Sequence, residues 1–403
     1  MESPKLPPLM EYFSNIEDPR RETKNKKYPL IEVIVIAFLA VMSGADGWES
    51  IERYGIMREK WLRKFLDLKE GIPKHDVYRR VLSAINSEVL ETCFMNWVRD
   101  IKRNVLPEII SIDGKTIRGM ATKSRFKAGT EVKSIHLVSA WAAENQLVFA
   151  QVKTEEKSNE ITAIPILLEQ IAIAGCIITI DAMGCQYEIA DKIVEKGADY
   201  VFSLKGNQGN LQNAVEEYWS MLNFDKPASH AEYIQFRSIS TYDEKHGRKE
   251  SRDYAVSDDV QWLREQFPQW NTINSIGVVE STRETGIGEA KTERRFFISS
   301  LGADEELFAH AVRSHWGIEN RLHYMLDVIY REDDCRVRMD YSPRTLSLIR
   351  KIALTIARSD KESKTSIRGR VQQMAWSEDY LESLLFRSDY ASVKKLHSAL
   401  ALM

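Results

Sequence analysis

The sequence predicts an α/β protein whose N-terminal part is entirely helical. Two observations predict this class. Apolar residues recur at spacings of three and four through residues 1–105, which is typical of amphipathic helices. Beyond Pro107, short apolar runs alternate with segments of helical spacing, which indicates a sheet covered by helices. The predicted parts are a helical domain (1–105), an α/β core in two pieces (106–214 and 301–403), and a β-rich insertion between them (215–300).

The helical assignment is clearest in the apolar run between Tyr28 and Ser43. Its apolar side chains lie three or four residues apart, and the run, which Glu32 interrupts, is too short to span a bilayer. We therefore expect a buried helix there. Further helices of the same domain are expected over Trp48–Leu68, from near His75, and over Ser87–Arg103.

In the first piece of the core, the sequence predicts three strands followed by a helix, a strand, a helix and a strand. The strands are expected at Ile109–Asp113, Ser134–Ala142, Gln146–Thr154, Ile177–Asp181 and Tyr200–Leu204, and the helices at Glu160–Ala172 and Cys185–Lys196. A three-stranded meander followed by alternating helices and strands is the order of the ribonuclease H-like fold. Four more strands are expected in the insertion, and helical spacing returns over Glu305–Tyr330 and Ser342–Arg358.

The charge balance does not by itself favour a nucleic-acid-binding protein. The chain has 403 residues, with 56 Lys and Arg against 59 Asp and Glu, which gives a formal net charge of −3. A dedicated nucleic-acid binder is usually basic, because neutralisation of phosphates supplies most of its affinity. The four widely spaced cysteines match neither a disulfide framework nor a structural zinc module, so we expect a reducing, cytoplasmic compartment.

Two acidic residues are predicted at the carboxyl ends of two strands. Asp113 lies in Ser-Ile-Asp-Gly-Lys and Asp181 in Thr-Ile-Asp-Ala-Met. The carboxyl ends of strands are where open α/β sheets place their sites, and two neighbouring carboxylates repel each other unless they share a cation. Two interpretations are open, because each aspartate could instead do no more than cap the turn that follows its strand.

A polar ridge is predicted along the helix near residue 320. Four polar residues recur at every fourth position, which places them on one side of a helix: His315, Glu319, His323 and Asp327. The ridge could be a solvated face, a zinc site formed by its first three members, or a means of bringing the Glu319 carboxylate to the two aspartates. Solvated faces are usually rich in Lys and Glu rather than His, which favours the last interpretation.

Four ordered motifs give the chain a resemblance to a known family. They are Asp-Gly-Lys-Thr-Ile-Arg-Gly at 113–119, Asp-Ala-Met-Gly-Cys-Gln at 181–186, Leu-Lys-Gly-Asn-Gln at 204–208, and His-Trp-Gly-Ile-Glu-Asn at 315–320 with Leu-Asp-Val at 326–328. Together they resemble the H-repeat-associated insertion-sequence transposases, the ISAs type of bacterial DDE transposases. Asp18-Pro19-Arg20 and Gly71-Ile72-Pro73 extend the resemblance to the N-terminal part, so that it covers nearly the whole chain.

The resemblance implies a ribonuclease H-like catalytic core with a β-rich insertion, preceded by an all-helical N-terminal domain that binds DNA. Asp113, Asp181 and Glu319 would form an acidic triad that holds two Mg²⁺ (or Mn²⁺) ions for phosphoryl transfer on DNA. His315 would contact the scissile phosphate, orient a metal-bound water, or form a hydrogen bond behind the metal ligands. In a wider group of transposases, Tyr, Arg and Lys occupy the places of Val312, His315 and Leu326, so roles of those residues do not transfer.

The implied activity is metal-dependent cleavage of DNA strands at the ends of an insertion sequence, followed by strand transfer. The implied partners are double-stranded DNA, as element ends and target, and a second copy of the chain bound to that DNA, with no membrane. The implied location is the bacterial cytoplasm, at the nucleoid. A domesticated DNA-binding or regulatory protein, and a plain metal-dependent DNA nuclease, would keep the same fold, so both stay open as alternatives.

DNA contact is expected from local basic segments rather than from the chain as a whole. Basic residues cluster in segments 115–133 and 344–370, and the turn after Leu204 offers further polar groups. The candidates for DNA contact are Lys115, Arg118, Lys205, Asn207, Gln208, Arg248, Arg344, Arg350 and Lys351.

Overall fold

A single mixed sheet of nine strands lies at the centre of the molecule. The computed structural model describes residues 6–23, 26–101, 108–120, 122–123, 131–132, 134–154, 160–222, 236–245, 248–285 and 290–386. Helices cover both faces of the sheet, and one hydrophobic core lies on each face because strand side chains alternate between the faces.

The N-terminal part is helical, as the apolar spacing predicts. Its helices are α1 (Pro8–Glu11), α2 (Leu30–Met42), α3 (Trp48–Leu62), α4 (His75–Ala84) and α5 (Ser87–Ile101). The predicted buried helix is α2, whose residues from Val33 to Met42 are at most 1% exposed. Because α3 and α4 both pack against it, α2 is apolar on all sides rather than along a single stripe.

The first piece of the core follows the predicted order of elements. It comprises β1 (Ile109–Ile117), β2 (Thr122–Lys123), β3 (Glu131–Val132), β4 (Ile135–Ala142), β5 (Leu147–Lys153), α6 (Glu160–Gln170), β6 (Ile177–Ile180), α7 (Tyr187–Glu195), β7 (Asp199–Leu204) and α8 (Gly209–Met221). In the sheet the order is β5-β4-β1-β6-β7, with β4 antiparallel to both neighbours and β1, β6 and β7 parallel. This order and these directions are those of the ribonuclease H-like fold, which confirms the predicted fold class.

The strand that carries Asp113 is longer than predicted. The sequence predicts that it ends at Asp113, and this is wrong, because antiparallel pairing with β4 continues from Ile110 to Ile117. The parallel neighbour β6 pairs with β1 only as far as Ile112. Asp113 therefore lies in mid-strand, immediately beyond the point where β6 ends and Asp181 begins the next turn.

The β-rich segment extends this same sheet. Its elements are β8 (Arg237–Lys245), β9 (Arg248–Ser257), α9 (Gln261–Gln266), β10 (Ser275–Thr285) and β11 (Lys291–Ser299). The sheet continues from β7 in the order β11-β10-β9-β8, and β11 is antiparallel to β7. Main-chain hydrogen bonds therefore join the segment to the core. The boundaries of the four parts of the chain stay predictions.

Helices complete the described chain. They are α10 (Glu305–Gly317), a π-helical segment (Ile318–His323), α11 (Tyr324–Tyr330), α12 (Ser342–Ser359), α13 (Ile367–Trp376) and α14 (Glu378–Leu385). Contacts of α12 with α2, α4, α5 and β5 join the N-terminal helices to the core. Among the described residues, no helix is both long enough and apolar enough to cross a membrane.

Two basic residues of α12 that are predicted to contact DNA are buried instead. Lys351 is 2% exposed, and its Nζ donates hydrogen bonds to Ser139 Oγ (2.8 Å) and Gln151 Oε1 (2.7 Å). Arg350 is 1% exposed, and one of its guanidinium nitrogens lies 4.0 Å from a carboxylate oxygen of Glu332, which is also buried. The predicted DNA contacts of Arg350 and Lys351 are therefore wrong.

A third basic residue of α12 forms an ion pair within the protein. The Nε of Arg344 donates to Glu91 Oε1 at 2.7 Å and its second nitrogen donates to Oε2 at 2.5 Å, which ties α12 to α5. The DNA contact of Arg344 stays a prediction, because an ion pair within the protein does not exclude it. Arg350 and Lys351 are buried because α12 packs against several elements at once, so side chains that resemble an exposed basic cluster in the sequence point into those interfaces.

The burial of Lys351 predicts a pH-dependent stability. Burial lowers the pKa of this lysine to about 8, whereas a lysine in the unfolded chain titrates near pH ~10.4. Between these values the unfolded chain binds more protons than the folded chain, so the contribution of Lys351 to stability rises with pH. We expect the free energy of unfolding of the wild type, relative to Lys351→Met, to increase by up to about 3 kcal/mol across that window.

Urea unfolding of both proteins at several pH values across the window measures this difference. Lys364→Met is the matched control, because Lys364 is exposed. A difference between wild type and Lys351→Met that does not change with pH would show that burial does not lower the pKa of this lysine.

Candidate active site

A cavity of about 380 Å³ opens where β6 ends, between the sheet and the helix formed by α10 and the π segment. All four residues predicted to be catalytic line it: Asp113, Asp181, His315 and Glu319. They come from β1, from the turn after β6, from α10 and from the π segment. The fold therefore brings together side chains that the sequence places in three separate motifs.

Asp181 occupies its place because it also caps the turn that follows β6. Its Oδ1 accepts hydrogen bonds from the backbone nitrogens of Met183 (3.0 Å) and Gly184 (3.4 Å) in a short 3₁₀ turn. The interpretation of Asp181 as the cap of its turn is confirmed, and its binding of a cation stays a prediction. One carboxylate oxygen holds the turn, and the side chain as a whole faces the cavity.

Two residues predicted to contact DNA support the turn after Asp181. Asn207 Nδ2 donates to the Ala182 carbonyl oxygen at 2.6 Å, and Gln208 Nε2 donates to the Cys185 carbonyl oxygen at 3.0 Å. Each amide keeps a second N–H, so the DNA contacts of Asn207 and Gln208 stay predictions. The motif after β7 serves to hold the neighbouring strand end in place.

The helix side of the cavity depends on the π segment. In an α-helix, residues spaced by four drift around the axis by about 40° per step, so a long ridge of that spacing would turn away from the sheet. A π turn closes at i→i+5 rather than i→i+4 and offsets part of this drift. Residues 318–323 form such a turn at the middle of the predicted ridge. All four members of the ridge consequently meet the sheet or its flanking turns.

Contacts along the ridge show its orientation. His315 Nδ1 lies 3.1 Å from Thr179 Oγ1 on β6, and His323 Nδ1 lies 3.4 Å from Asp113 Oδ2 on β1. The Thr179 hydroxyl in turn donates to Ser111 on β1, which fixes the position of His315 relative to two strands. The ridge therefore faces β1, which carries Asp113, and β6, which ends directly before Asp181.

His323 is a site residue that the sequence interpretation includes only in the zinc alternative. Ligand atoms of Asp113, Glu319 and His323 all lie within 4.8 Å of one another. His323 is 7% exposed, and its Nε2 has no hydrogen-bond partner in the described part of the chain. The cluster of possible ligands thus contains Asp113 in place of His315, which the zinc alternative had as a ligand. His315 is turned towards Thr179 instead. The four-residue spacing is the signal that identifies His323.

The two aspartates have opposite electrostatic environments. Burial alone would raise the pKa of Asp113, but the contact with His323 and the nearby charge of His315 outweigh burial and lower it. Burial raises the pKa of Asp181, and the negative charges of Glu160 and Asp113 raise it further. The site thus concentrates negative charge that a bound cation would relieve.

Lys115 lies two residues beyond Asp113 on the same face of β1. Its Nζ is 2.5 Å from Asp327 Oδ2 on α11 and 3.7 Å from Asp333 Oδ1, and its side chain is only 11% exposed. The lysine therefore ties the strand that carries Asp113 to the helix that continues from Glu319, and its DNA contact stays a prediction.

Close packing brings the same helix to the sheet at Gly317. A Cβ added to Gly317 would lie 2.7 Å from the ring of Trp141 on β4, which is closer than a Cβ can approach. Glycine at this position lets α10 lie directly on the indole. The glycine of the His-Trp-Gly-Ile-Glu-Asn motif thus sets the distance between Glu319 and the sheet.

Positive side chains surround the mouth of the cavity. Lys205 and Arg295 line it, and the Arg295 guanidinium lies 4.6 Å from the ring centroid of Trp316. A second cavity of about 330 Å³ adjoins it through Trp316 and is lined by Arg313 and Arg321. The sequence motifs do not predict these three arginines, because they lie on separate elements and only the fold groups them.

Two further residues predicted to contact DNA lie away from this group. Arg118 is exposed directly after β1, where its backbone nitrogen donates to Asp333 Oδ1 at 3.4 Å. Arg248 begins β9, and its side chain lies outside the described residues. Residues 121, 124–130 and 133 of the basic segment 115–133 also lie outside them.

A ribonuclease H-like sheet with three carboxylates at one cavity defines a class of nucleic-acid-processing proteins, and the sequence comparisons give the family. Residues 105–356 match the transposase DDE domain family, and residues 10–98 match the DDE_Tnp_1-associated family. This chain therefore belongs to the DDE transposase family.

Relatives of similar length share this assignment. The chain is 40% identical over 384 residues to the "H repeat-associated putative transposase YhhI" of Escherichia coli (strain K12), covering 94% of this chain and 98% of the relative. It is 39% identical over 379 residues to the "Putative transposase YncI" of Escherichia coli O157:H7, covering 94% of each. The structure also aligns with a chain of a piggyBac transposase synaptic complex with hairpin DNA at 9% identity and a TM-score of 0.42, covering 94% and 80% of the two chains.

The pairing of Lys115 with Asp327 predicts coupled effects on stability. Lys115→Met leaves the Asp327 carboxylate without its cation, so we expect the free energy of unfolding to fall by about 2 kcal/mol. Asp327→Leu should cost a similar amount, and the double variant should cost clearly less than the sum. Urea unfolding of the four proteins measures the coupling. Strictly additive effects would show that the two side chains do not interact.

Proposed function

We propose that this protein is a DNA transposase that cleaves DNA strands at the ends of an insertion sequence and transfers them to a target in a reaction that depends on divalent metal ions. The observation that carries the proposal is the shared cavity of Asp113, Asp181 and Glu319, each supplied by a different element. Membership of the DDE transposase family supports it.

The residues at the cavity suit a divalent cation. Ligand atoms of Asp113, Glu319 and His323 are within 4.8 Å of one another, and Asp181 lines the same cavity. Carboxylate oxygens favour Mg²⁺ or Mn²⁺ over softer metals. We assign two such ions to Asp113, Asp181 and Glu319. When bound, they would activate the attacking oxygen and stabilise the leaving oxygen in phosphoryl transfer.

The histidines have distinct tasks in this proposal. His323 holds the Asp113 carboxylate from the helix side, through the 3.4 Å contact of its Nδ1. His315 donates from Nδ1 to Thr179 Oγ1, and burial lowers the pKa of this histidine, so Nε2 of the neutral ring would accept a hydrogen bond from the attacking water. His323 is thus a positioning residue, and His315 touches the reacting atoms.

DNA would approach along the positive mouth of the cavity. Lys205, Arg295, Arg313 and Arg321 supply charge for phosphate contacts, and Trp316 offers an apolar surface between the two cavities. Processing of two element ends requires at least two active sites, so we propose a homodimer on DNA. Such a protein acts on the chromosome, which implies the bacterial cytoplasm and the nucleoid.

Removal of any acid of the triad should abolish cleavage. We expect Asp113→Asn, Asp181→Asn and Glu319→Gln to lower the rate of Mg²⁺-dependent cleavage at least ~100-fold, because each removes a charged metal ligand. The substrate is double-stranded DNA that carries the inverted repeats flanking the gene. Glu216→Gln is the matched control, since Glu216 is exposed on α8. Cleavage by Asp181→Asn or Glu319→Gln at the wild-type rate would refute the triad assignment.

The products distinguish the proposed function from its alternatives. Joined products in which element ends are linked to new DNA would identify strand transfer. Cuts without joined products would instead identify a plain metal-dependent nuclease. Binding of the ends without any cleavage by the wild type would identify a domesticated DNA-binding protein.

The positive mouth of the cavity predicts a local effect on DNA binding. We expect Arg295→Gln to weaken binding of end DNA and to reduce the slope of log affinity against log salt by about 0.9, which is the contribution of one phosphate contact. Arg294→Gln is the matched control, because Arg294 is the adjacent residue of β11 and points to the opposite face. Each arginine pairs with a glutamate, Arg294 with Glu280 and Arg295 with Glu293, so the two substitutions remove comparable ion pairs. Fluorescence anisotropy across a salt series measures both. Equal effects of the two substitutions would contradict a DNA contact at this cavity.

A further inference from the structure

A row of polar side chains crosses the sheet beside Asp113. Asp113 on β1 is the register partner of Ser139 on β4, and Ser139 is the partner of Gln151 on β5. Side chains directly opposite each other in antiparallel strands share a face, with Cβ atoms ~4.5–5.5 Å apart. Ser139 is 0% exposed and Gln151 is 1% exposed. The row therefore leads from the cavity into the interior of the protein.

Lys351 holds the inner part of this row. Its ammonium group donates hydrogen bonds to Ser139 Oγ at 2.8 Å and to Gln151 Oε1 at 2.7 Å. Gln151 Nε2 in turn donates to Glu91 Oε1 at 2.7 Å and to the Arg344 carbonyl oxygen at 3.4 Å. Because an ammonium group can only donate, the Ser139 oxygen is the acceptor of its bond. Both polar atoms of the Gln151 amide are thus occupied.

The Ser139 hydroxyl keeps a hydrogen that it can donate. A serine hydroxyl carries one donor in addition to its acceptor sites, and the bond from Lys351 uses only an acceptor site. In the part of the chain that the structure describes, this hydrogen has no acceptor within hydrogen-bond distance. A buried donor without an acceptor is unfavourable. The acceptor that the neighbouring strand offers on the same face is the Asp113 carboxylate.

Asp113 is held from the helix side by His323, whose Nδ1 lies 3.4 Å from Oδ2. A carboxylate has two oxygens and about four acceptor sites, so it can accept a second hydrogen bond while it binds a cation. In metal sites, hydrogen bonds to a ligating carboxylate fix its orientation, and their loss weakens metal binding. A donor on β4 would complete the support of Asp113 from the sheet.

We propose that Ser139 is a positioning residue of the metal centre. It donates its hydroxyl hydrogen to the Asp113 carboxylate and so fixes the orientation in which Asp113 binds a cation. Lys351 acts through Ser139, because its bond to the serine oxygen directs the hydroxyl hydrogen away from the ammonium group. The inference rests on the proposed function, since it requires a cation at Asp113.

Mn²⁺ binding to the full-length protein without DNA tests this role. We expect isothermal titration to show binding at least ~10-fold weaker in Ser139→Ala than in the wild type, because the carboxylate loses its donor. Ser275→Ala is the matched control, since Ser275 is a buried serine of β10 that does not line the cavity. Both variants are titrated well below their unfolding temperatures, so that a loss of stability alone leaves the affinity unchanged.

The spectrum of the bound ion separates positioning from support of the fold. At saturating Mn²⁺, the electron paramagnetic resonance spectrum should change in Ser139→Ala, because the orientation of the ligands sets the symmetry around the ion. The spectrum of Ser275→Ala should match that of the wild type.

Lys351→Met tests whether the lysine acts through Ser139. Without the ammonium group, the hydroxyl is free to donate to Gln151 Oε1, so we expect a loss of Mn²⁺ affinity similar to that in Ser139→Ala. The double variant should bind no more weakly than Ser139→Ala alone, because both changes remove the same hydrogen bond. Losses that multiply in the double variant would show that Lys351 does not act through Ser139 and would overturn this part of the inference.

Two outcomes separate this inference from the proposed function. If Asp181→Asn loses Mn²⁺ binding while Ser139→Ala keeps the wild-type affinity and spectrum, the metal centre stands and the inference is overturned. If the wild type binds no Mn²⁺, the proposed function itself fails, and the inference fails with it.

Discussion

The structure of the site depends on one helix that keeps the same side against the sheet for three turns. A ridge of residues spaced by four cannot do this in a regular α-helix, because the ridge drifts around the axis. The π turn at residues 318–323 offsets part of the drift, and Gly317 lets the helix lie directly on Trp141. Glu319, at the centre of this arrangement, has a carboxylate oxygen within 4.8 Å of one of Asp113, because its neighbours along the ridge are fixed.

The sheet supplies the complementary constraint through the unequal lengths of β1 and β6. Antiparallel pairing with β4 carries β1 to Ile117, while parallel pairing with β6 stops at Ile112. Beyond that point the edge of β1 faces a turn rather than a strand. Asp113 approaches this edge from the helix side, and Asp181 follows the end of β6. The cavity forms at the level where the two strands part.

Much of this fold follows from local patterns. Periods of three and four predict α2 and the other N-terminal helices, and the alternation of strands and helices predicts the ribonuclease H-like order, because these patterns record which side chains are buried. The ridge from His315 to Asp327 predicts one helix face. The order of the motifs along the chain predicts that Asp113, Asp181 and Glu319 lie close together, since two of them are placed near the ends of neighbouring strands. The catalytic role of these residues stays a prediction.

Other features depend on tertiary contacts that local patterns do not contain. Lys351 and Arg350 resemble a basic surface in the sequence, yet α12 packs on several elements and buries both. From the sequence alone Lys115 is predicted to bind DNA. In the fold it forms an ion pair with Asp327, which lies on another element. Conversely, Arg295 and Arg321 line two adjoining cavities only in the folded chain. The net charge of −3 therefore says little about DNA binding, because internal ion pairs use some of the basic residues and the cavity concentrates others.

The central claim is that Asp113, Asp181 and Glu319 together bind the catalytic ions. Anomalous diffraction from crystals grown with Mn²⁺ and end DNA tests it most directly. The account predicts two Mn²⁺ peaks bridged by carboxylate oxygens, separated by about 3.5–4 Å, with Asp181 among the ligands. A single peak held by Glu319 and His323, with Asp181 bound only to the backbone of its own turn, would contradict it.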